Sequence, residues 1–300
     1  MTEINSKSKM SSKKRKKLFF VAVMLSIPVL HWFVFWLYVN LNSILMAFQL
    51  PTGEWSLLSL KTVLREISAG DSTLRVSITN TLLYFFKDIL MLPFQLLIAY
   101  FLYRKILFYK GFQVIFYLPA IISGVALTTV FSNFIAPSGP LGKLFLSFGV
   151  ELPELLADSD YATSTILFFT IWTGWGGQML LLSGALSRIP VEVLESARLD
   201  GINTGKELIH MIVPLVWPTM STILILNMTG LFGASGPILL FTKGGWGTST
   251  IGYWIFDKVA FVGISAYNEV AAAGLIFTAI GVPVIMFFKW LIERIPTVDY

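Results

Sequence analysis

The sequence predicts an all-α polytopic membrane protein with about six transmembrane helices. Three observations carry that expectation. Charged residues make up only 13% of the chain against 55% hydrophobic ones, and the mean hydropathy is +0.75, whereas soluble domains carry about 25% charge. Apolar runs recur along the chain, each near the ~20 residues a helix needs to cross ~30 Å of hydrocarbon. The polar stretches between them hold most of the charge. Composition also excludes several chemistries. Without cysteine there is no disulfide, thiol nucleophile or thiolate metal site. His31 and His210 stand far apart with no carboxylate cluster beside them, so both read as packed or interfacial side chains and no metal is expected.

Residues 1–17 are polar and end in Lys13-Lys14-Arg15-Lys16-Lys17. Leu18 to Val39 follows without a charge, is longer than the apolar core of a signal peptide, and precedes no small-x-small cleavage site. It reads as an uncleaved first span, residues 18–40. A lysine cluster can bind nucleic acid, but beside a span it holds that end in the cytoplasm, and no nucleic-acid partner is expected. Residues 41–77 form an extracytoplasmic loop. Leu57, Leu60, Val63, Leu64 and Ile67 mark a small amphipathic helix there, on the membrane surface or packed beneath the next span.

The second span covers Ile78 to Tyr103 and carries two charges, Lys87 and Asp88, which are costly in lipid. A short basic turn (Arg104, Lys105, Lys110) leads to a third span, Phe112 to Phe134. Its Pro119 frees a carbonyl that neighbouring helices or water must satisfy. Ala136 to Tyr161 is polar and acidic and reads as a loop. The fourth span, Ala162 to Ser187, holds Gly174, Gly176, Gly177 and Gly184, which permit close helix approach. Leu208 to Thr242 contains no Asp, Glu, Lys or Arg but is too long for one perpendicular helix. Gly230, Gly233, Gly236 and Pro237 divide it into a fifth span, Met211 to Phe232, and a partly embedded outer segment. The sixth span covers Asn268 to Trp290, and residues 293–300 form a cytoplasmic tail. Six spans put both termini and the central loop, 188–206, on one side. Fifteen Lys and Arg fall on that side and six on the other, which makes the first side cytoplasmic.

The central stretch, Ile189 to Pro218, is unusually charged, with Glu192, Glu195, Arg198, Asp200, Lys206 and Glu207. Its first part reads as a short helix. Pro190 suits the first helical position, Glu192 and Arg198 complement the helix dipole, and Gly201 terminates it. Val191, Leu194 and Ala197 recur at three-residue spacing as one narrow apolar face. Glu195, Ala197, Asp200, Gly201, Pro214 and Pro218 resemble the E-A-A-x-x-D-G loop of bacterial ABC importer permeases. Ile189-Pro190 and Ile212-Val213-Pro214 point to the carbohydrate-uptake branch, similar to the maltose, multiple-sugar and oligosaccharide permeases. Ser196 departs from the second motif Ala, and Ile202 from the Ala or Ser that follows the Gly. Asn80-Thr81 resembles the pair that opens the family's core domain. Thr242 to Thr250 resembles its T-x-G-G-P-x-x-x-T, with Trp246 in place of Pro.

The resemblance implies a type I importer core at residues 78–292, placed in a bacterial cell membrane. The coupling helix at Glu195, Ala197, Asp200 and Gly201 would dock on an ATPase. Implied partners are a second, related permease, two ATPase subunits and an extracytoplasmic sugar-binding protein, with the lipid bilayer around the spans. The outer loop at Lys243, Gly244, Gly245 and Trp246 would face the binding protein. No cofactor is implied on this chain; ATP and Mg would sit on the partner ATPases.

The residues themselves give no catalytic site, since no phosphate-binding G-x-x-x-x-G-K-S/T, H-E-x-x-H or G-x-S-x-G is present. A substrate path should be lined by interior polar and aromatic groups. Trp172, Thr173, Trp175 and Gln178 are the candidates on the fourth span, joined by Thr170, Asn227 and Thr229, because rings stack on sugar faces and amides bond hydroxyls. The alternative is plain helix packing. Lys87 either meets an anionic sugar or pairs at a subunit interface, since adjacent helical positions do not face one another. Rival functions are a permease for a non-sugar solute such as a glycerol phosphate ester, an ion-coupled secondary transporter, and a membrane receptor or scaffold.

Overall fold

The computed structural model describes residues 12–70, 72–233 and 236–296. Most of the N-terminal polar segment (1–11), Asp71 and the last four residues of the tail lie outside that description. Among the described residues no strand forms beyond an isolated bridge between Gln49 and Trp55. Five helical segments are long and apolar enough to cross a membrane, and a sixth candidate is a sharply bent pair.

The first segment runs unbroken through α1 (Ser12–His31), a π-helical stretch and α2 (Val39–Ala47). It is longer at both ends than the apolar run alone suggests, because the lysine cluster and Asn40–Ala47 both continue the helix. Its apolar side chains are almost all exposed within this chain, Trp32 stacking on Trp36 and meeting Phe33 edge-on, both of the same segment. Just α2 is docked, where the amide of Asn268 donates to the carbonyls of Met46 and Gln49 at 3.0 and 2.9 Å. The expected amphipathic helix is α3 (Leu58–Ser68). It packs with buried Val63 against later helices rather than lying free on a surface.

Ser72 caps α4 (Thr73–Tyr103), its hydroxyl accepting from the Arg75 N–H. The third span is not one helix. α5 (Tyr109–Ile121) and the helices from Gly124 onward meet at 108°. Pro119 withholds an N–H and crowds the preceding turn, and Ile122 and Ser123 then turn extended. α6 (Gly124–Ile135) follows. The polar segment after it contains a further helix, α7 (Pro140–Ser147), started by Pro140 in its first turn, with Leu144, Phe145 and Leu146 exposed within this chain. So the expected plain loop over 136–161 is partly helical. α8 (Ala162–Leu186) is the fourth span. Of its four glycines only Gly176 makes a close approach: a Cβ there would stand 2.7 Å from Ala120 and 3.1 Å from the Phe116 carbonyl. Gly174, Gly177 and Gly184 face open space within this chain.

α9 (Val191–Leu199), α10 (Thr204–Glu207), a π-helical turn and α11 (Val213–Thr229) come next. The fifth membrane-length segment thus starts at Thr204, seven residues before the expected Met211, because Asn203 caps α10 through the Lys206 N–H at 2.9 Å. α12 (Gly236–Phe241) is the short outer segment. α13 (Ile251–Asp257) leads by irregular helical turns into α14 (Tyr267–Glu293), which brackets the expected sixth span within three residues at each end.

Two apolar cores stabilise the bundle. One gathers Leu92, Leu96, Ala99 and Tyr100 of α4, Met179, Leu182 and Leu186 of α8, and Ile212, Val216 and Ile223 of the fifth segment. The other joins Ala47, Val63, Leu74, Ile251, Trp254, Ala272 and Phe277 from α2, α3, α4, α13 and α14. Beside the second, Lys258 pairs with Glu269 at 2.8 Å and lies over the Trp254 ring. Burial, then the Glu269 charge, raises the Glu66 carboxyl above the usual range, with Lys258 pulling the other way. The cores lie toward opposite ends of α4, whose 31 residues span about 45 Å.

Candidate functional site

At one end of the bundle, α9 hangs between the C-terminus of α8 and the start of α10. Among its described side chains only Leu194 is buried, 2% exposed, and it belongs to the first core together with Ile189. The expected apolar stripe is therefore narrower than its spacing suggests, for Val191 is exposed and Ala197 half-buried. Gly201 ends the helix as expected. It sits at φ +78°, and the Ile202 N–H reaches back to the Ala197 carbonyl at 3.2 Å, the six-residue closure that a left-handed glycine permits. The side chain of Arg198 lies outside the description.

This anchoring leaves Glu192, Glu195, Ser196 and Asp200 exposed. It also leaves Leu199 exposed by 89%, the highest value among the large hydrophobic side chains of the described residues. Val191, Glu195 and Leu199 follow one another at four-residue spacing and so share one face. Leu199 was missed in the sequence because it lies off the apolar stripe; an isolated leucine between an arginine and an aspartate on a charged helix is the available signal. On the adjoining side, a groove of about 640 Å³ is lined by Glu192, Ser196, Ala197, Asp200, Ile202 and Met211, among others. Glu195, Ala197, Asp200 and Gly201 thus sit on one short element with an unfilled apolar and acidic surface.

Mid-bundle, the structure divides the candidate path residues. Gln178 donates to Asn227 at 2.8 Å, tying α8 to α11. Gln95 of α4 donates to the Gly174 carbonyl at 3.5 Å. Trp175 packs on Phe116, while Trp172 joins Phe131 and Phe169, with Phe241 completing that aromatic group. The hydroxyls of Thr170, Thr173 and Thr229 bond carbonyls of their own helices. Thr173 also lines a cavity of about 390 Å³ beside the break of the third span, with Ser123, Thr128 and Phe169. Gln178 and Asn227 thus bond one another between helices, with the Asn227 amide nitrogen buried and without a partner, and the cavity gathers Thr173 with Ser123 and Thr128, two residues not singled out in the sequence.

Lys87 corrects a second expectation. Its ammonium meets Asp88 of the same chain at 2.6 Å and stands 6.0 Å from the Tyr84 ring. Adjacent positions do diverge on a helix, but the four-carbon lysine stem is long enough to fold back around the backbone, and in an apolar setting an unpaired ammonium is costlier than the bent stem. The carboxylate is the more open partner, with its side chain 44% exposed against 12% for Lys87.

At the other end, two stretches read separately in the sequence meet. The Asn80 amide donates to the carbonyls of Gly247 and Ser249 at 2.7 and 2.8 Å, and the Thr81 hydroxyl accepts from the Ile251 N–H at 2.9 Å. Ser77 reaches the Ser249 hydroxyl at 2.8 Å. Thr163 at the start of α8 also points to the Gly247 carbonyl, so α4 and α8 begin at the same end. Gly244, at φ +74°, lies under the Tyr253 ring, where a Cβ would come within 2.3 Å. With Thr248–Thr250 buried, the loop presents Lys243, Gly245 and Trp246 outward.

No family model matches the chain. It is 26% identical over 212 residues to the arabinooligosaccharides transport system permease protein AraP of Bacillus subtilis, covering 68% of this chain and 66% of that one. It is 32% identical over 182 residues to a probable ABC transporter permease protein, PH1215, of Pyrococcus horikoshii, covering 58% and 61%. The match thus spans less than two thirds of each of these relatives. The fold is that of a chain of a bacterial ABC transporter involved in the import of the acidic polysaccharide alginate, with a TM-score of 0.81 at 22% identity over 95% of this chain and 99% of that one. It also matches a chain of a bacterial alginate ABC transporter in complex with an alginate pentasaccharide-bound periplasmic protein, with a TM-score of 0.80 at 21% identity over 94% and 96%.

Proposed function

We propose, from the premise that this chain is a permease of the ABC importer kind, as its relatives and its fold indicate, that it is one half of the membrane gate of an ATP-driven sugar or oligosaccharide importer. The observation that carries the reading is the α9 surface. A nine-residue helix whose one buried side chain among those described is Leu194, with Glu195, Leu199 and Asp200 turned outward, is an attachment point for another subunit. The chain itself supplies transport, and hydrolysis belongs to two partner ATPases that hold ATP and Mg. When ATP draws those subunits together, α9 moves with them and the bundle above it rocks between inward and outward opening. A second permease completes the gate. A sugar-loaded binding protein meets the Lys243–Trp246 turn at the far end. Both termini lie on the cytoplasmic side with α9.

The names of the relatives favour an oligosaccharide as cargo. An acidic one finds no bare ammonium at Lys87, which Asp88 already neutralises. The cavity at Thr173, Ser123 and Thr128 offers hydroxyls beside the Phe169 ring, the chemistry that suits a neutral sugar face. The test is to purify the complex with its ATPases, place it in vesicles, and measure ATP hydrolysis with the binding protein and a panel of arabino-, galacto- and alginate oligosaccharides. One sugar class should stimulate hydrolysis and enter the vesicles only with ATP. Uptake driven by an ion gradient without ATP would remove the reading.

A further inference from the structure

Among the described residues Glu207 is the one charged side chain that is buried, 1% exposed, in the last turn of α10. A buried carboxylate is held only where bonds replace its lost water. Here the replacement includes the end of α4: the Tyr100 hydroxyl, itself fully buried, bonds the Glu207 carboxylate. One turn along α4, Arg104 donates to the Thr204 hydroxyl at 2.9 Å, reaches the Tyr100 hydroxyl at 3.4 Å, and lies 5.8 Å from its ring. Tyr100 and Arg104 are four residues apart on one helix, and Thr204 and Glu207 three apart on the other. The two helices are therefore joined by two polar rungs, stacked one turn apart.

The position of this ladder gives it a consequence. The backbone passes from α9 to α10 through Asp200, Gly201, Ile202 and Asn203, with Gly201 in the left-handed region at φ +78°, the most permissive position of that link. Apolar packing through Leu194 resists separation but not sliding, since dispersion contacts are non-directional. Two polar rungs, one ending on a buried charge, resist sliding because any shift stretches directional bonds in a low-dielectric setting. We propose that Tyr100, Arg104, Thr204 and Glu207 form a clamp that makes α4 move with the docking loop. Glu207 is its positioning residue: a push on α9 reaches the second span instead of being absorbed at Gly201. This rests on the gate reading above.

The test uses the full complex in vesicles with its ATPases and its sugar-loaded binding protein. Glu207→Gln and Tyr100→Phe keep size and remove the charge or the hydroxyl. Both should leave assembly and unstimulated hydrolysis near wild type and lower the stimulation by the loaded binding protein roughly tenfold, the loss of about one charge-assisted bond. The double variant should be no worse than either single one, because both remove the same link. Thr204→Ser keeps the hydroxyl and should behave as wild type. Wild-type stimulation in both single variants, or in the apolar Glu207→Leu, would overturn the clamp, leaving the residue a packing group. If Glu207→Gln fails to assemble, Tyr100→Phe decides alone. A wild-type complex without ATP-driven uptake would instead remove the gate reading, so the two failures are distinguishable.

Discussion

The two ends of the bundle solve one problem in different ways. At the α9 end, a short helix has Leu194 as its one buried side chain among those described, a buried acid follows in α10, and the α9 backbone makes its own bonds. At the opposite end, the 242–250 loop has almost no regular structure, and two of its carbonyls, Gly247 and Ser249, are held by the Asn80 side chain of α4. The first arrangement leaves a side-chain surface able to move as a unit. The second fixes a backbone shape. That difference fits a moving handle at one end and a static landing surface at the other. α4 contacts both, through Asn80 at one end and through Tyr100 and Arg104 at the other, and is the element our proposal makes the link between them.

The sharpest way to break the comparison is at Gly201. Gly201→Asp puts a side chain at φ +78° and a second carboxylate beside Asp200, and should abolish ATP-driven uptake while the protein still folds. Co-purification with the ATPases and uptake are the measurements, and normal values for both would contradict the docking role. Next in size is Asn80→Ala, which strands the Ser249 carbonyl at about 1–3 kcal/mol and leaves the Gly247 carbonyl only the longer bond from Thr163. It should lower the melting temperature by several degrees and weaken stimulation by the binding protein, with ATPase docking unchanged.

A paired substitution sharpens the contrast further. Gly244→Ala meets both a positive φ and the Tyr253 ring, whereas a Cβ at Gly201 meets nothing within 4 Å. Gly201→Ala should cost only the conformational term, about 1 kcal/mol, and Gly244→Ala distinctly more in a thermal melt. Equal shifts would mean the outer loop yields as easily as the inner one. The smallest effect is expected for Lys87→Ala. It should reduce uptake of neutral and acidic oligosaccharides alike, because the ammonium serves Asp88; a loss confined to acidic sugars would restore a direct role in selection.

Much of this was legible in the residues. Charge-free runs marked the spans, and the Pro190–Gly201 bracket located α9 and its end. What the sequence could not reveal depends on distance in space. The meeting of Asn80 with Gly247 joins positions 167 residues apart, and no periodicity encodes it. The 108° break after Pro119 was hidden because proline is tolerated in many continuous spans. Gly174, Gly177 and Gly184 read as packing positions by composition, yet only Gly176 faces a neighbouring helix of this chain. Lys87 was misread because a rule about facing positions says nothing of a long stem folding back.

Absence of cysteine from the chain allows the most direct test of the central claim, that α9 and the 242–250 loop lie on opposite membrane faces with α9 on the ATPase side. Asp200→Cys and Lys243→Cys, each the sole thiol, would be treated with a membrane-impermeant maleimide in right-side-out and inverted vesicles. The expected result is that Cys at 243 labels only in right-side-out vesicles, and Cys at 200 only in inverted ones, losing its label when the ATPase is bound. Labelling of position 200 from outside, or equal labelling with and without the ATPase, would contradict it.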